Sequence, residues 1–344
     1  MRGLTISAHG DLRQVELRDD LAVPVAGDGE VRVRMRAAAL NHLDLFVVHG
    51  LPGVTITPPW ILGSDGAGVV ERVGAGTVGV KVGDTVVINP GTSDRTCEYC
   101  RAGEQPLCLA YGILGEHRPG TLAEYVVVPA VNVRAIPATI PIENAAAFGL
   151  ATLTAWRMVV TRARVREGDE VLIQGIGGGV AIAALQIAKL RGARVWVTSG
   201  SDEKLERALA LGADVALNNR TADVAREVRA RTAKRGVDVV IDSVGQATWR
   251  ASLGALGKRG RLVSCGATSG PMVETDLRRM FWNQWSLLGS TMGSEDEFDA
   301  ITAELRGGRL LPVVDSVFAL EDGRAAFARL ESGEQFGKVV VRIP

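Results

Sequence analysis

Two groups of residues in this 344-residue chain have types and spacing that could do chemistry. The first is the run Gly175-Ile176-Gly177-Gly178-Gly179-Val180-Ala181. It follows the apolar residues Val171, Leu172 and Ile173 and leads into a stretch with apolar positions at Val180, Ala183, Ala184 and Ile187. Strand, glycine turn and helix is the order a dinucleotide requires. Glycines let the backbone approach a pyrophosphate, and free N–H groups at the positive end of the helix meet its charge. An ordinary tight turn would also use glycines, and Val180 or Ala181 stands where the pattern's last glycine belongs, with alanine a permitted exchange. The context favours the dinucleotide: a second strand-like run, 194–198, ends near Ser199, about twenty residues on, where the ribose-reading residue belongs.

At that strand end an acidic residue would accept hydrogen bonds from the adenosine ribose of NADH and repel a 2′-phosphate. The sequence has Thr198-Ser199-Gly200-Ser201 instead. Two hydroxyls, a glycine N–H and Lys204 can all donate to a phosphate, so the expectation is NADPH rather than NADH. Ser201 also has a plainer role, capping a helix that begins at Asp202, and both roles can hold together.

The second group is Cys97, Cys100 and Cys108, three of the four cysteines; the other, Cys265, stands alone in an apolar stretch. Met1-Arg2-Gly3-Leu4-Thr5 does not read as a signal peptide, and no segment offers the roughly 18 apolar residues of a membrane span. The chain is therefore expected to be cytoplasmic, where clustered cysteines point to metal rather than disulfides. Lys plus Arg and Asp plus Glu both number 39, which gives no basic footprint for nucleic acid and no acidic tail. The expected partner is a small molecule.

The elements that must position these residues fall into two textures. Up to about residue 135, short alternating runs such as 31–36 lie between Gly and Pro punctuation, the pattern of half-buried strands. From about residue 141, strand-like runs at 171–174, 194–198 and 237–241 alternate with helix-like stretches, which predicts a parallel α/β sheet. A helix-like piece at 294–305 and strand material at 311–318 and 338–343 are expected to return to the first domain. With 47% hydrophobic residues there is material for two cores.

Nearly the whole chain resembles the medium-chain dehydrogenase/reductase superfamily, the zinc-type alcohol dehydrogenases and quinone oxidoreductases. The resemblance rests on Gly63-Ser64-Asp65-Gly66-Ala67-Gly68, Val82-Gly83-Asp84-Thr85-Val86, the cysteine lobe, the glycine turn and Gly337-Lys338-Val339-Val340. It implies a GroES-like β-rich catalytic domain over 1–134 and 296–344, with a structural zinc lobe near 94–108. A Rossmann domain, a doubly wound parallel sheet, is implied over 135–295. In the zinc enzymes, two cysteines or an acid and a histidine hold a catalytic metal; the matching positions here are Asn41, Ser64 and Leu150. None is a good zinc ligand, so no catalytic zinc is expected. The proton-relay positions are Leu43 and Phe46, which cannot relay. Ser64-Asp65 resembles the quinone oxidoreductase branch.

The resemblance further implies that Asp94, three residues before Cys97, completes one structural zinc site with Cys97, Cys100 and Cys108. His42 matches a position that meets the cofactor phosphate and Thr154 one that packs by the nicotinamide. Ser243, Val244, Gly266 and Ala267 end later strands on the cofactor side. Asp44 and Asp65 also have local readings, as a helix cap and as an acceptor for backbone donors. The expected function is NADPH-dependent reduction of conjugated C=C bonds in enones or quinones, with Asn41, Ser64 and Asp65 at the catalytic centre. The alternatives are an alcohol dehydrogenase with a non-standard metal site, with Asp65, Asp44 and His42 as its candidate ligands, and a non-catalytic NADPH-binding protein. Trp60 and 281–284 are candidates for an apolar pocket. Strand 286–290 lies where the superfamily pairs sheet edges, which predicts a homodimer or homotetramer.

Overall fold

The computed structural model describes residues 1–344. The chain forms two compact units, Met1–Leu153 with Gly293–Pro344, and Thr154–Met292. The first division falls later than the expected 134/135. The helix Ile142–Ala146 and the start of the helix Gly149–Trp156 are tied to the first unit. Glu143 accepts from Arg342, Asn144 donates to the Pro312 carbonyl and Leu150 N–H donates to Asp65. The return, at Met292/Gly293 rather than 295/296, precedes a helix Glu295–Arg306 whose Ser294 and Glu297 cap each other reciprocally.

In the first unit the strand Glu30–Ala39 is the hub. It pairs antiparallel with Asp65–Val73, Tyr125–Pro129 and Lys338–Arg342. The order continues to Thr85–Ile88 and Val133–Ala135 on one side and to Val314–Ala319 on the other. Alternation sends Val31, Val33 and Met35 into a core shared with Val70, Val86, Val126, Val339 and Phe327, while Arg32 and Arg34 take the other face. Helix His42–His49 follows this hub after a two-residue break.

The second unit is a six-stranded, all-parallel sheet in the order Val215–Asn218, Arg194–Ser199, Glu170–Ile173, Val237–Asp242, Leu256–Ser264, Ser286–Gly289. Numbered along the chain this is 3-2-1-4-5-6, the doubly wound Rossmann order, with its switch point between the first and fourth strands. Buried Leu172, Trp196, Val240, Leu262, Val228 and Leu253 form its core. Strands covered on both faces read as near-continuous apolar runs, which is why 171–173 and 237–241 were legible. No helix is long and apolar enough to cross a membrane.

Candidate functional site

In the Rossmann unit the predicted turn lies at the end of the first strand, at the switch point. Gly175 and Gly177 have φ of +68° and +130°, which side chains with a Cβ rarely adopt. Gly178 precedes the helix Gly179–Leu190, and a Cβ added to it would meet nothing within 4 Å, so the face a pyrophosphate would approach is open. Thr198 pins the turn: its carbonyl accepts Ile176 N–H at 2.7 Å and its hydroxyl accepts Gly175 N–H at 3.1 Å. That hydroxyl donates to Gln174 Oε1 at 2.6 Å, Gln174 Nε2 donates to Ser252 Oγ at 3.0 Å, and Ser252 donates to Asp242 Oδ2 at 2.8 Å. Asp242, fully buried, also accepts the Val244 and Gly245 N–H groups and the Thr248 hydroxyl. Val244 packs on Gly175, and Gly266 and Ala267 lie against Ser243 and Gly245, so the strand ends expected on the cofactor side do gather beside the turn.

At the second strand end, Ser199 Oγ accepts Ser201 N–H at 3.2 Å and Ser201 Oγ accepts Lys204 N–H at 3.4 Å, the cap of the helix Asp202–Ala210. The nearby acid Asp202 is engaged by Asn218 Nδ2 at 2.7 Å. A cation that sequence reading missed is also present. Arg220 lies over Gly200 so closely that a Cβ there would sit 2.6 Å from its Nε. It is exposed and comes from the loop after the neighbouring strand, Val215–Asn218. Thr154, buried, directs its hydroxyl at Met292 Sδ, 3.8 Å away.

In the first unit, Asn41, Ser64 and Asp65 are buried in one place with Asp44 and Lys338. Asp65 Oδ2 accepts from Lys338 Nζ and from Asn41 Nδ2, each at 2.9 Å, and Oδ1 accepts Leu150 N–H at 2.5 Å. Lys338 also donates to Asn41 Oδ1. The carboxylate needs room: a Cβ on Gly149 would stand 2.6 Å from Asp65 Oδ1. Asp44 Oδ2 accepts Asn41 N–H at 2.7 Å, the helix-capping role, and burial raises its carboxyl to about 7. The other Asn41 amide contact is a long one to the Ala39 carbonyl, 3.5 Å. Ser64 Oγ is fully buried and has no hydrogen-bond partner, an exception that invites a functional reading. His42 is held below the ordinary imidazole pKa by desolvation and by Lys338. Lys338 was a landmark in the sequence, but its distance from Asp65 along the chain hid its role. The only signal was a lysine opening an apolar strand.

These residues do not fit a catalytic zinc. Leu150 offers no ligand, an ammonium already engages Asn41 and Asp65, and the carboxylates of Asp44 and Asp65 are taken by internal donors. The cysteine lobe does fit a metal. Ligand atoms of Asp94, Cys97, Cys100 and Cys108 all lie within 4.8 Å of one another. The N–H groups of Asp94 and Ala110 point at Cys108 Sγ, at 3.3 and 3.4 Å, the outer-shell support a bound thiolate uses. Trp60 is a core residue, 8% exposed, donating to the Gly115 carbonyl. Phe281 and Trp282 stand exposed on the helix Leu277–Asn283.

Known proteins match both units. Residues 27–138 match the alcohol dehydrogenase GroES-like domain and residues 179–306 the zinc-binding dehydrogenase family. A protein named NAD-dependent alcohol dehydrogenase from Sulfolobus acidocaldarius is 30% identical over the full length of both chains. The human protein named quinone oxidoreductase is 27% identical over 99% of this chain and 97% of its own. A crystal structure titled NAD-dependent alcohol dehydrogenase superposes with a TM-score of 0.96 at 46% identity, with both chains covered completely. With its GroES-like unit, its Rossmann unit and relatives of this identity along its whole length, the chain belongs to the medium-chain dehydrogenase/reductase superfamily and is a nicotinamide-dependent oxidoreductase.

Proposed function

We propose that the protein reduces conjugated C=C bonds of enones or quinones with NADPH and uses no catalytic metal. The observation that carries this reading is the Lys338 ammonium bonded to Asn41 and Asp65 where the family's metal enzymes keep their ligands. When bound, the reduced nicotinamide supplies hydride to the substrate's β-carbon. The chain's own residues have to stabilise the negative charge that then develops on the carbonyl oxygen. The Ser64 hydroxyl has no internal partner, and one Asn41 N–H is held only by the long contact to Ala39. Both are neutral donors suited to an enolate oxygen. Asp65 and Lys338 position Asn41, the carboxylate accepting from its amide and the ammonium donating to its Oδ1. Thr154, Ser243, Val244, Gly266 and Ala267 would bound the nicotinamide side, and the 175–180 turn would hold the pyrophosphate with His42 as a further donor. Ser199, Gly200, Ser201 and Lys204, together with Arg220, would receive the 2′-phosphate. Asp94, Cys97, Cys100 and Cys108 would hold one zinc with no open position for chemistry.

A panel of enones, quinones and alcohols, run with both nicotinamides beside metal analysis, tests the reading. NADPH should be consumed with enones or quinones, with at most one zinc per chain and none of it needed for turnover. Alcohol oxidation that requires a second zinc would establish the metal enzyme instead. NADPH binding without turnover across the panel would leave a non-catalytic binder. Arg220→Ala should raise the KM for NADPH roughly 10- to 100-fold and leave that for NADH unchanged, the cost of one charge-assisted contact. Equal losses for both cofactors would remove the 2′-phosphate assignment.

A further inference from the structure

The buried polar chain beneath the glycine turn has a direction, and Asp242 sets it. A carboxylate has acceptor sites only, and four donors occupy them here. The Val244 and Gly245 N–H groups reach Oδ1 at 2.8 and 3.1 Å, and the Ser252 and Thr248 hydroxyls reach Oδ2 at 2.8 and 2.7 Å. Because Ser252 gives its proton to Asp242, its oxygen is left to accept from Gln174 Nε2 at 3.0 Å. Gln174 therefore turns its Oε1 to Thr198, which donates at 2.6 Å and keeps a lone pair for the Gly175 N–H at 3.1 Å. The opposite order fails at both ends. Ser252 would turn its proton away from the carboxylate, and Thr198, accepting from Gln174 and Gly175 together, would hold a proton with no acceptor in the chain. Gln174, Thr198, Ser252 and Asp242 are each at most 1% exposed, so bulk water does not absorb such a mismatch.

A second route from Asp242 ends on the same glycine. The carboxylate holds Val244 by its N–H, and Val244 Cγ2 packs so close to Gly175 that a Cβ there would stand 2.9 Å from it. Gly175 has a φ of +68° and begins the run that leads into the helix Gly179–Leu190. Its placement therefore sets where that run, with the N–H groups at the helix start, begins.

We infer that Asp242 is a positioning residue for the dinucleotide. It acts through Ser252, Gln174 and Thr198 on one side and through Val244 on the other, and it holds Gly175 in the conformation that receives a pyrophosphate. The inference rests on the nicotinamide dependence of the family, not on the enone reading or on the choice between NADPH and NADH. Asp242→Asn keeps the shape and changes the donor pattern. Its amide nitrogen cannot face the Val244 and Gly245 N–H groups, so it faces the Ser252 and Thr248 hydroxyls. That reverses the chain and leaves the Thr198 proton without an acceptor.

Titration of NADPH and of NADH into the full chain, followed by nicotinamide fluorescence, tests the assignment. Asp242→Asn and Thr198→Val should each weaken whichever nicotinamide the unmodified chain binds by about tenfold. Thr198→Ser keeps the hydroxyl and should lose less than about threefold. Asp242→Asn combined with Thr198→Val should lose no more than the larger single loss, because both break one chain; a general loss of stability would not produce that coupling. If Asp242→Asn fails to fold, Ser252→Ala takes its place in the same comparison. Unchanged affinity in Thr198→Val, a loss in Thr198→Ser equal to that in Thr198→Val, or losses that add in the double variant would each overturn the inference.

Discussion

Lys338 and Asp65 form an ion pair whose side chains are 5% and 0% exposed, and neither charge has water to fall back on. Removing one partner of such a pair strands the other, so Lys338→Met should cost about 3–5 kcal/mol in urea unfolding, and Lys338→Met with Asp65→Asn should recover most of it. A loss below about 1 kcal/mol for the single variant would show that the pair behaves as a surface one. Asp44 adds a pH dependence. Burial holds its carboxyl at about 7 in the folded chain, against an unfolded value of about 4. Below about pH 4 both states carry the proton. Between about pH 4 and 7 only the folded state does, so stability falls as pH rises, by at most about 1.4 kcal/mol per pH unit, and the loss is complete above pH 7. Asp44→Asn removes that slope, and its melting temperature relative to the unmodified chain should improve between about pH 5 and pH 8. A constant difference across that range would show that Asp44 titrates normally. Of this cluster, Asn41, Ser64 and Asp65 were legible from the family pattern; Asp44 was expected to cap a helix around Leu45–His49, whereas the helix starts at His42 and Asp44 reaches back from its third position to the Asn41 N–H. The cation was not legible, because only the pairing of the 30–39 strand with the 338–342 strand brings it there.

The glycine turn and the cysteine lobe were readable as elements because each is local: everything that defines it lies within a few tens of residues. The polar chain beneath the turn, Gln174 through Thr198, Ser252 and Asp242, was not, since it runs across three strands and one helix whose neighbours are set by sheet order. Arg220 escaped notice for the same reason. The lobe has only a four-residue helix, Glu98–Arg101, and a single 3-10 turn, Gln105–Leu107, too little to order a segment without a cross-link. Stripping the metal with a chelator should therefore expose 93–111 to proteolysis and lower the melting temperature, while the Rossmann unit still binds its nicotinamide cofactor. Unchanged protease resistance after zinc loss, measured by digestion and mass spectrometry, would mean that the lobe holds itself together through its thiols and Asp94.

At the scale of the whole molecule, the α/β sheet ends in the strand Ser286–Gly289, whose outer edge has no neighbour within the chain. Leu277, Phe281 and Trp282 are exposed on the helix that precedes it. An open edge beside apolar side chains is a template for pairing with a second copy. Light scattering should give at least twice the chain mass at micromolar protein, and Leu287→Pro, which removes a ladder donor, should shift it to the monomer; a monomer in the unmodified chain would end this reading. The two-unit division was visible in the change of texture near residue 141. The helices after residue 141 look like α/β material, yet Glu143, Asn144 and Leu150 tie them to the first unit. The sheet of the first unit is completed late in synthesis. Asp65 leaves the ribosome 273 residues before Lys338, and the whole Rossmann sheet is made in between. Until the last strand docks, Asp65 lacks its counter-ion, so the first unit's sheet cannot be completed before residue 338 is made.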